Sequence, residues 1–377
     1  MAKVSIVNTY STSIRDCLNR SVELIGGWDR FVKRGDRVLI KPNIFIKGDY
    51  RSGKITHPEL ILSVCKALWE IGAKVFICER TNNIYENLKD YPEILKYARI
   101  ISLEELPCKN TTLKNAISLK ISLPIPEIIN DCDVFINMPS IRTHALTKIS
   151  NSLKNIMGIL PDTAAFHLHQ CGLHRSIVEL NQYRKSDLII YDGTYSLQGD
   201  FPPFGEPLKS NIIISGDNPV AVDAVTAKVI GFEPEEVKHI KIAFKQGLGP
   251  ISLKEIKLYG ESIETIKKTV KFKKAISNID NLKDKFIFYT GGICMDCIPS
   301  AASGLIATLE QKWIKNIDTR DIAIVIGSSG ELPVINEKNI ILFGNCTYPY
   351  IDIGNYIPGC PPQATMIFEE IKKLCSN

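Results

Sequence analysis

Short runs of β-branched residues recur along this chain, each followed by a longer amphipathic stretch, and few folds accommodate that alternation. Val4–Val7 reads as a strand. Ser13–Val32 reads as a helix with Ile14, Cys17, Leu18, Val22 and Leu24 on its apolar face. Arg37–Ile40 is a second strand. Pro58–Ile71 is a helix with proline in its first turn and Gly72 at its end, as capping preferences favour. Lys74–Cys78 follows as a strand and Ile84–Ala98 as a helix. Asp133–Asn137, Asp187–Tyr191 and Asn211–Ser215 read as further strands, and Val220–Ile230 as a helix. The rhythm predicts an α/β fold with a larger, mostly parallel sheet covered by helices.

The pattern restarts on a smaller scale after a Lys-rich connection. Phe286–Tyr289, Ile322–Ile326 and Ile340–Phe343 read as strands, Pro299–Leu309 and Gln363–Leu374 as helices. The expected organisation is a ligand-binding α/β domain over 1–275 and a smaller C-terminal α/β domain over 276–377. A chain of 377 residues is long enough for both.

The second domain carries four cysteines in glycine- and proline-rich loops: Cys294 and Cys297 in a C-x-x-C pair, Cys346 in Gly-Asn-Cys, and Cys360 in Pro-Gly-Cys-Pro-Pro. Several follow predicted strand ends, on the rim where an open α/β sheet carries its site. Gly291, Gly292, Gly344, Gly354 and Gly359 let the chain bend sharply around a small inorganic object. Four thiolates so placed point first to a 4Fe–4S cluster as cofactor, with Cys294, Cys297, Cys346 and Cys360 as its iron ligands. A structural zinc site more often pairs two C-x-x-C knuckles, and a thioredoxin-type pair leaves Cys346 and Cys360 without a role; both remain alternatives. Cys17, Cys65, Cys78, Cys108, Cys132, Cys171 and Cys375 are scattered among apolar stretches, and most read as small buried hydrophobes.

Composition narrows the partners. The net charge is +5, and no Lys/Arg block interleaved with aromatics occurs, so nucleic acid is not expected. No stretch is apolar enough to span a bilayer, and the first residues do not form a signal peptide, so the cytoplasm is the expected location. A mildly basic cleft for an anionic small molecule is consistent with the charge.

Polar groups recur where such a sheet would place a site. Lys41-Pro42-Asn43 follows the second strand, so Lys41 and Asn43 are candidates for the rim crevice. Asn137 to Lys148 follows another strand and offers Arg142, His144 and Lys148 as an anion-binding or acid–base group, since histidine titrates near working pH. Lys154 and Asn155 lie on the next helix. Asp192 ends a strand and is a candidate base or partner for Lys41. Asp217 reads as a helix cap and Asp223 as a first-turn acid, both structural. His167, His169 and His174 lie in a polar stretch; His167 and His169 lack the spacing of a metalloprotease pair, and their role is open. No Walker A loop, dinucleotide fingerprint or Gly-x-Ser-x-Gly elbow occurs.

Two resemblances add to this reading. The cysteine loops resemble those of hydrogenase small subunits and the related quinone-reductase subunit, where they hold a 4Fe–4S cluster. Over most of its length the chain resembles the domain-of-unknown-function 362 family, whose members are often labelled iron–sulfur-associated. The residues that carry the likeness are Lys41-Pro42-Asn43, Thr56-His57-Pro58-Glu59, Thr143-His144 with Lys154-Asn155 and Gly158, Tyr191-Asp192-Gly193, Asp217 to Ala224, and Gly247-Leu248-Gly249. The chain departs from the pattern at Ser140 and Arg142, where lysines are common, and at Gly199-Asp200-Phe201-Pro202, where Gly-x-Gly-Pro is usual. The departures bear on ligand size and charge.

These readings predict a cytoplasmic redox enzyme, or an electron-transfer component with a redox partner protein. Lys41 and Arg142 would hold the anion and His144 would move a proton. A non-redox cluster enzyme, such as a lyase, dehydratase or sulfur-transfer catalyst, and a non-enzymatic cluster-stabilised module are the alternatives.

Overall fold

The computed structural model describes residues 1–10, 12–201, 205–275, 279–291, 296–327 and 339–375. Its strands are β1 (Ala2–Asn8), β2 (Arg37–Pro42), β3 (Lys74–Glu79), β4 (Ala98–Ser102), β5 (Cys108–Thr112), β6 (Ser122–Pro126), β7 (Val134–Met138), β8 (Ser140–His144), β9 (Lys148–Ile149), β10 (Leu188–Gln198), β11 (Glu206–Gly216) and β12 (Ile256–Gly260) in the first sheets, then β13 (Ile287–Gly291), β14 (Ile322–Gly327), β15 (Asn339–Phe343) and β16 (Asn355–Ile357). The helices are α1 (Ile14–Leu24), α2 (Pro58–Ile71), α3 (Asn83–Leu88), α4 (Ile128–Asp131), α5 (Ser152–Asn155), α6 (Asp162–Gln170), α7 (Leu173–Tyr183), α8 (Pro219–Ile230), α9 (Lys238–Lys245), α10 (Ile263–Thr269), α11 (Cys297–Leu309) and α12 (Ala364–Leu374).

The large sheet runs β12-β1-β11-β10-β7-β2-β3-β4. β11 pairs antiparallel with both neighbours, and the other described pairings along that path are parallel. Parallel strands need both faces covered, and the residues comply. Leu39, Phe135, Tyr191, Ile212 and Ile214 pack on one face with α7 and α8. Their immediate neighbours Val38, Ile40, Ile136, Ile190 and Ile213 pack on the other with α1 and α2. This is the expected α/β architecture, and the fourteen residues of α2 match the expected span, closed by Gly72 in the left-handed region.

Several expectations change. The helix expected over Ser13–Val32 stops at Leu24, because Gly26 and Gly27 take positive φ. The one expected over Ile84–Ala98 is short: α3 ends at Leu88, Pro92 opens a 3₁₀ turn, and Ala98 begins β4 against β3. Asn218, not Asp217, caps α8, because its side-chain oxygen reaches the Val220 and Ala221 amides; Asp217 instead accepts from Lys3 N and Arg30. Among the scattered cysteines, Cys17, Cys65 and Cys78 are buried, but Cys108 is exposed at the start of β5.

The second sheet, β13-β14-β15-β16, is parallel throughout. α11 and α12 cover one face, where Leu305 and Ile367 meet Ile324 and Phe343. No described helix is long and apolar enough to cross a membrane.

Candidate functional site: a cationic cavity beside the cysteine loops

β2, β3 and β7 end together at one rim of the large sheet, in register Lys41 with Asn137 and Pro42 with Met138. Lys41 is fully buried there, and a buried ammonium is tolerable only with a partner. Glu79 at the end of β3 is that partner, 2.8 Å from Nζ; the ammonium also donates to the Pro42 carbonyl. Glu79 accepts further from the Ile44 and Arg80 amides, so its charge is held from several sides. Lys41 thus pairs with Glu79 and not with Asp192. Gly158 closes over the pair: a Cβ there would lie 2.6 Å from Lys41 Cε and 2.7 Å from Nζ.

A cavity of about 280 Å³ opens on this rim. Of the residues singled out in the sequence, Lys41, Asn43, Arg142, His144, Lys154 and Asn155 line it. Asn155 is fixed by donating to Asn137 Oδ1 and the Lys41 carbonyl. Lys154 is presented by α5, whose first amides are anchored by buried Asp223: its oxygens accept from Ser152 N and Leu153 N, and from Tyr191 Oη at 2.6 Å. Asp223 therefore positions the short helix that carries Lys154, and burial raises its carboxyl to about 6.

The cavity lining is cationic. Arg142 is 5 % exposed, lies over Phe45 and Phe201, and leaves Nε without a hydrogen-bond partner. Burial lowers its guanidinium to about 10, so it stays charged at neutral pH. No carboxylate pairs with Lys154 among the described residues; burial, then Arg142 and Arg80, hold its ammonium down to about 7. His144 is buried, and its Nδ1 accepts from the Leu146 and Thr147 amides. Burial and the nearby Lys154 and Arg142 push its pKa well down, so the ring is neutral with its proton on Nε2. It offers a hydrogen bond to the cavity rather than a basic nitrogen.

Two predicted residues lie elsewhere. Lys148 reaches Glu236 at 3.5 Å and Phe232, away from the cavity lining. Asp192 is buried behind the site, where its carboxylate accepts from His57 N, Thr194 N and Thr194 Oγ1 and so fixes the start of α2. Its carboxyl is raised by burial, with His57 opposing. His167 is exposed, and His174 is buried in a stack with His239, ring centroids 5.7 Å apart.

His169, whose role the sequence leaves open, joins the cavity. So do Glu79 and Phe201; the latter is one of the sequence's departures from the family pattern. His169 ends α6, and its Nδ1 lies 3.0 Å from the Pro361 carbonyl while its own carbonyl accepts from Cys360 N. Leu173 N donates to the Cys360 carbonyl, and Asn345 Nδ2 to the Gln170 carbonyl. The cysteine-bearing rim of the second sheet is thereby fastened to the cavity wall, and Gln363, Ala364 and Thr365 complete that wall.

The cysteine loops meet one another. Asn345 N donates to the Gly359 carbonyl, and Asn345 Oδ1 accepts from Gly359 N. Gly344, at φ 107°, leaves room for Cys297: a Cβ there would sit 3.0 Å from its Sγ. Cys346 is exposed, Cys297 and Cys360 half-buried. Cys294 lies outside the described residues. Among the described residues no three of His, Cys, Asp and Glu gather closely enough to hold a single metal ion.

The family described as "Domain of unknown function (DUF362)" matches residues 38–228. The chain belongs to this family. The DUF362 match spans Lys41, Glu79, Arg142, His144, Lys154 and His169, and ends before the cysteine loops. A thylakoid-associated protein of Synechocystis sp. is 26% identical over 249 residues, 63% of this chain and 76% of that protein. A lactate racemase apoprotein from Thermoanaerobacterium thermosaccharolyticum superposes at a TM-score of 0.40 with 12% identity, over 91% of this chain and 70% of that one.

Proposed function

We propose that this DUF362 protein binds a 4Fe–4S cluster on Cys294, Cys297, Cys346 and Cys360 and works beside it on an anionic small molecule, as a redox enzyme or electron-transfer component. The observation that carries the reading is the shared wall. His169 is hydrogen-bonded to both Cys360 and Pro361 while lining a cavity that also contains Arg142 and Lys154. Three of the cysteine segments already approach one another through Gly344, Asn345 and Gly359.

Such a cluster supplies one-electron transfer when bound. Arg142, Lys154 and the Nε2–H of His144 would hold the anion's charge. The Lys41–Glu79 pair would form a rigid floor, its charges already balanced. Exposed Cys346 would put the cluster edge within reach of a redox partner protein. The cytoplasm, where thiols stay reduced, is the compartment we propose.

Anaerobically isolated protein should contain about four irons and an equal amount of acid-labile sulfide per chain. Its reduced form should give an electron paramagnetic resonance signal that shifts when succinate or inorganic phosphate is added. Zinc, or no metal, in place of iron would overturn the cluster. An unshifted signal despite measurable anion binding would separate the cavity from it.

A further inference from the structure

The two cavity histidines are held in opposite tautomers. Main-chain amides of Leu146 and Thr147 donate to His144 Nδ1, so neutral His144 carries its proton on Nε2. His169 is the reverse. The Pro361 carbonyl can only accept, so His169 Nδ1 donates to it across 3.0 Å, and Nε2 keeps its lone pair. Above pH 7 an imidazole so bonded is mostly neutral, with its one proton spent on the carbonyl. The cavity lining therefore offers positive charge and donors, from Arg142, Lys154 and His144, and one neutral acceptor, from His169. A simple carboxylate or phosphate dianion satisfies only the first set. It would also set its own lone pairs against that of His169, and a buried acceptor left unpaired costs binding.

We propose that the cavity selects an anion bearing a hydroxyl group, with the charge held by Arg142 and Lys154 and the hydroxyl donating to Nε2 of His169. The inference rests on the anion-binding reading above but not on the cluster. The shared chemistry is a hydroxylated anion, either a hydroxy acid or a hydroxylated phosphate ester. His169 is a specificity-determining residue in this arrangement, and the Pro361 carbonyl fixes its orientation.

Matched pairs test it by calorimetry on anaerobically isolated protein: malate against succinate, and glycerol 3-phosphate against propyl phosphate. The hydroxylated member of at least one pair should bind about tenfold tighter or better, since a site built to bond a hydroxyl rejects the analogue lacking it; the pair that discriminates identifies the source. His169→Asn keeps an amide donor for Pro361 but loses the ring acceptor. It should bring the preference close to one, with a smaller change for the deoxy member than for the hydroxylated one. Binding of both members without preference, or a preference that survives His169→Asn, overturns the inference and leaves the anion reading standing. Failure of all four probes at millimolar concentration removes both. Iron and sulfide content, measured on the same samples, reports on the cluster separately and shows whether the variant keeps the cysteine loops intact.

Discussion

The rim of the large sheet and the rim of the small one are both strand-end sites, but their polar groups are satisfied differently. At the large rim, buried charge is matched within the chain: Lys41 by Glu79, and Asp223 by Ser152, Leu153 and Tyr191. That architecture is set before any ligand arrives, and Arg142 Nε and the Lys154 ammonium are among the groups left to be answered from outside. At the small rim, Cys346 is exposed, and main-chain and Asn345 hydrogen bonds join the loops. On the proposed function, the first site is preorganised for its small molecule. The second would gather its cluster ligands on bends that the bound cluster tightens, since metal binding is coupled to folding.

Mutations can break that contrast. Cys360→Ser should abolish or convert the cluster while the large domain keeps its unfolding midpoint; iron and sulfide assays with denaturant unfolding would read both, and unchanged iron would sink the ligand assignment. Glu79→Ala leaves the Lys41 ammonium buried and unpaired, and should cost about 3–5 kcal/mol in urea unfolding. A loss below 1 kcal/mol would mean that the floor of the cavity is not preorganised. Gly158→Ala drives a methyl against Lys41 and should cost about 1–3 kcal/mol without changing iron content.

The pH dependence sharpens the same contrast. Lys154 is held at about 7, below the ordinary lysine value. Between there and about 10.4 the unfolded chain keeps a proton the folded one has lost, so its contribution to stability rises with pH over that window. Anion binding runs the other way: affinity should fall by up to about tenfold per pH unit above 7. Lys154→Met should flatten both profiles; identical profiles in parent and variant would show that Lys154 does not face the anion. The smallest effect expected is from His144→Ala, which removes one hydrogen-bond donor. Anion affinity should drop a few-fold, by about 1 kcal/mol, with iron unchanged; iron loss in this variant would instead place His144 at the cluster.

How much was legible depended on how local the cause was. Helix α2 could be read because Pro58 and Gly72 are themselves its start and stop. Strand β4 could not, since the apolar Ile94 to Ile101 stretch suits either period until Pro92 and β3 decide it. Lys41, Arg142 and His144 were visible because each is polar just beyond a predicted strand, and Lys154 because it lies on the helix that follows. Glu79 carried the same strand-end signal and was passed over because no motif flanks it, and His169 lies among several histidines on a helix with nothing local to set it apart. Lys148 carried the same local signal as Arg142, yet β9 takes it to Glu236 instead.

The amino-acid order by itself settled the alternation of strands and helices, the two-faced burial of the large sheet, and the placing of cysteines among glycines and prolines, because periodicity, capping and chain stiffness act within a few residues. Only the folded chain decided that Lys41 meets Glu79, 38 residues on, and that His169 meets Pro361, 192 residues on. Burying a charge or an imidazole is costly unless its partner is present, and that partner is supplied by strand register and helix docking across the whole molecule.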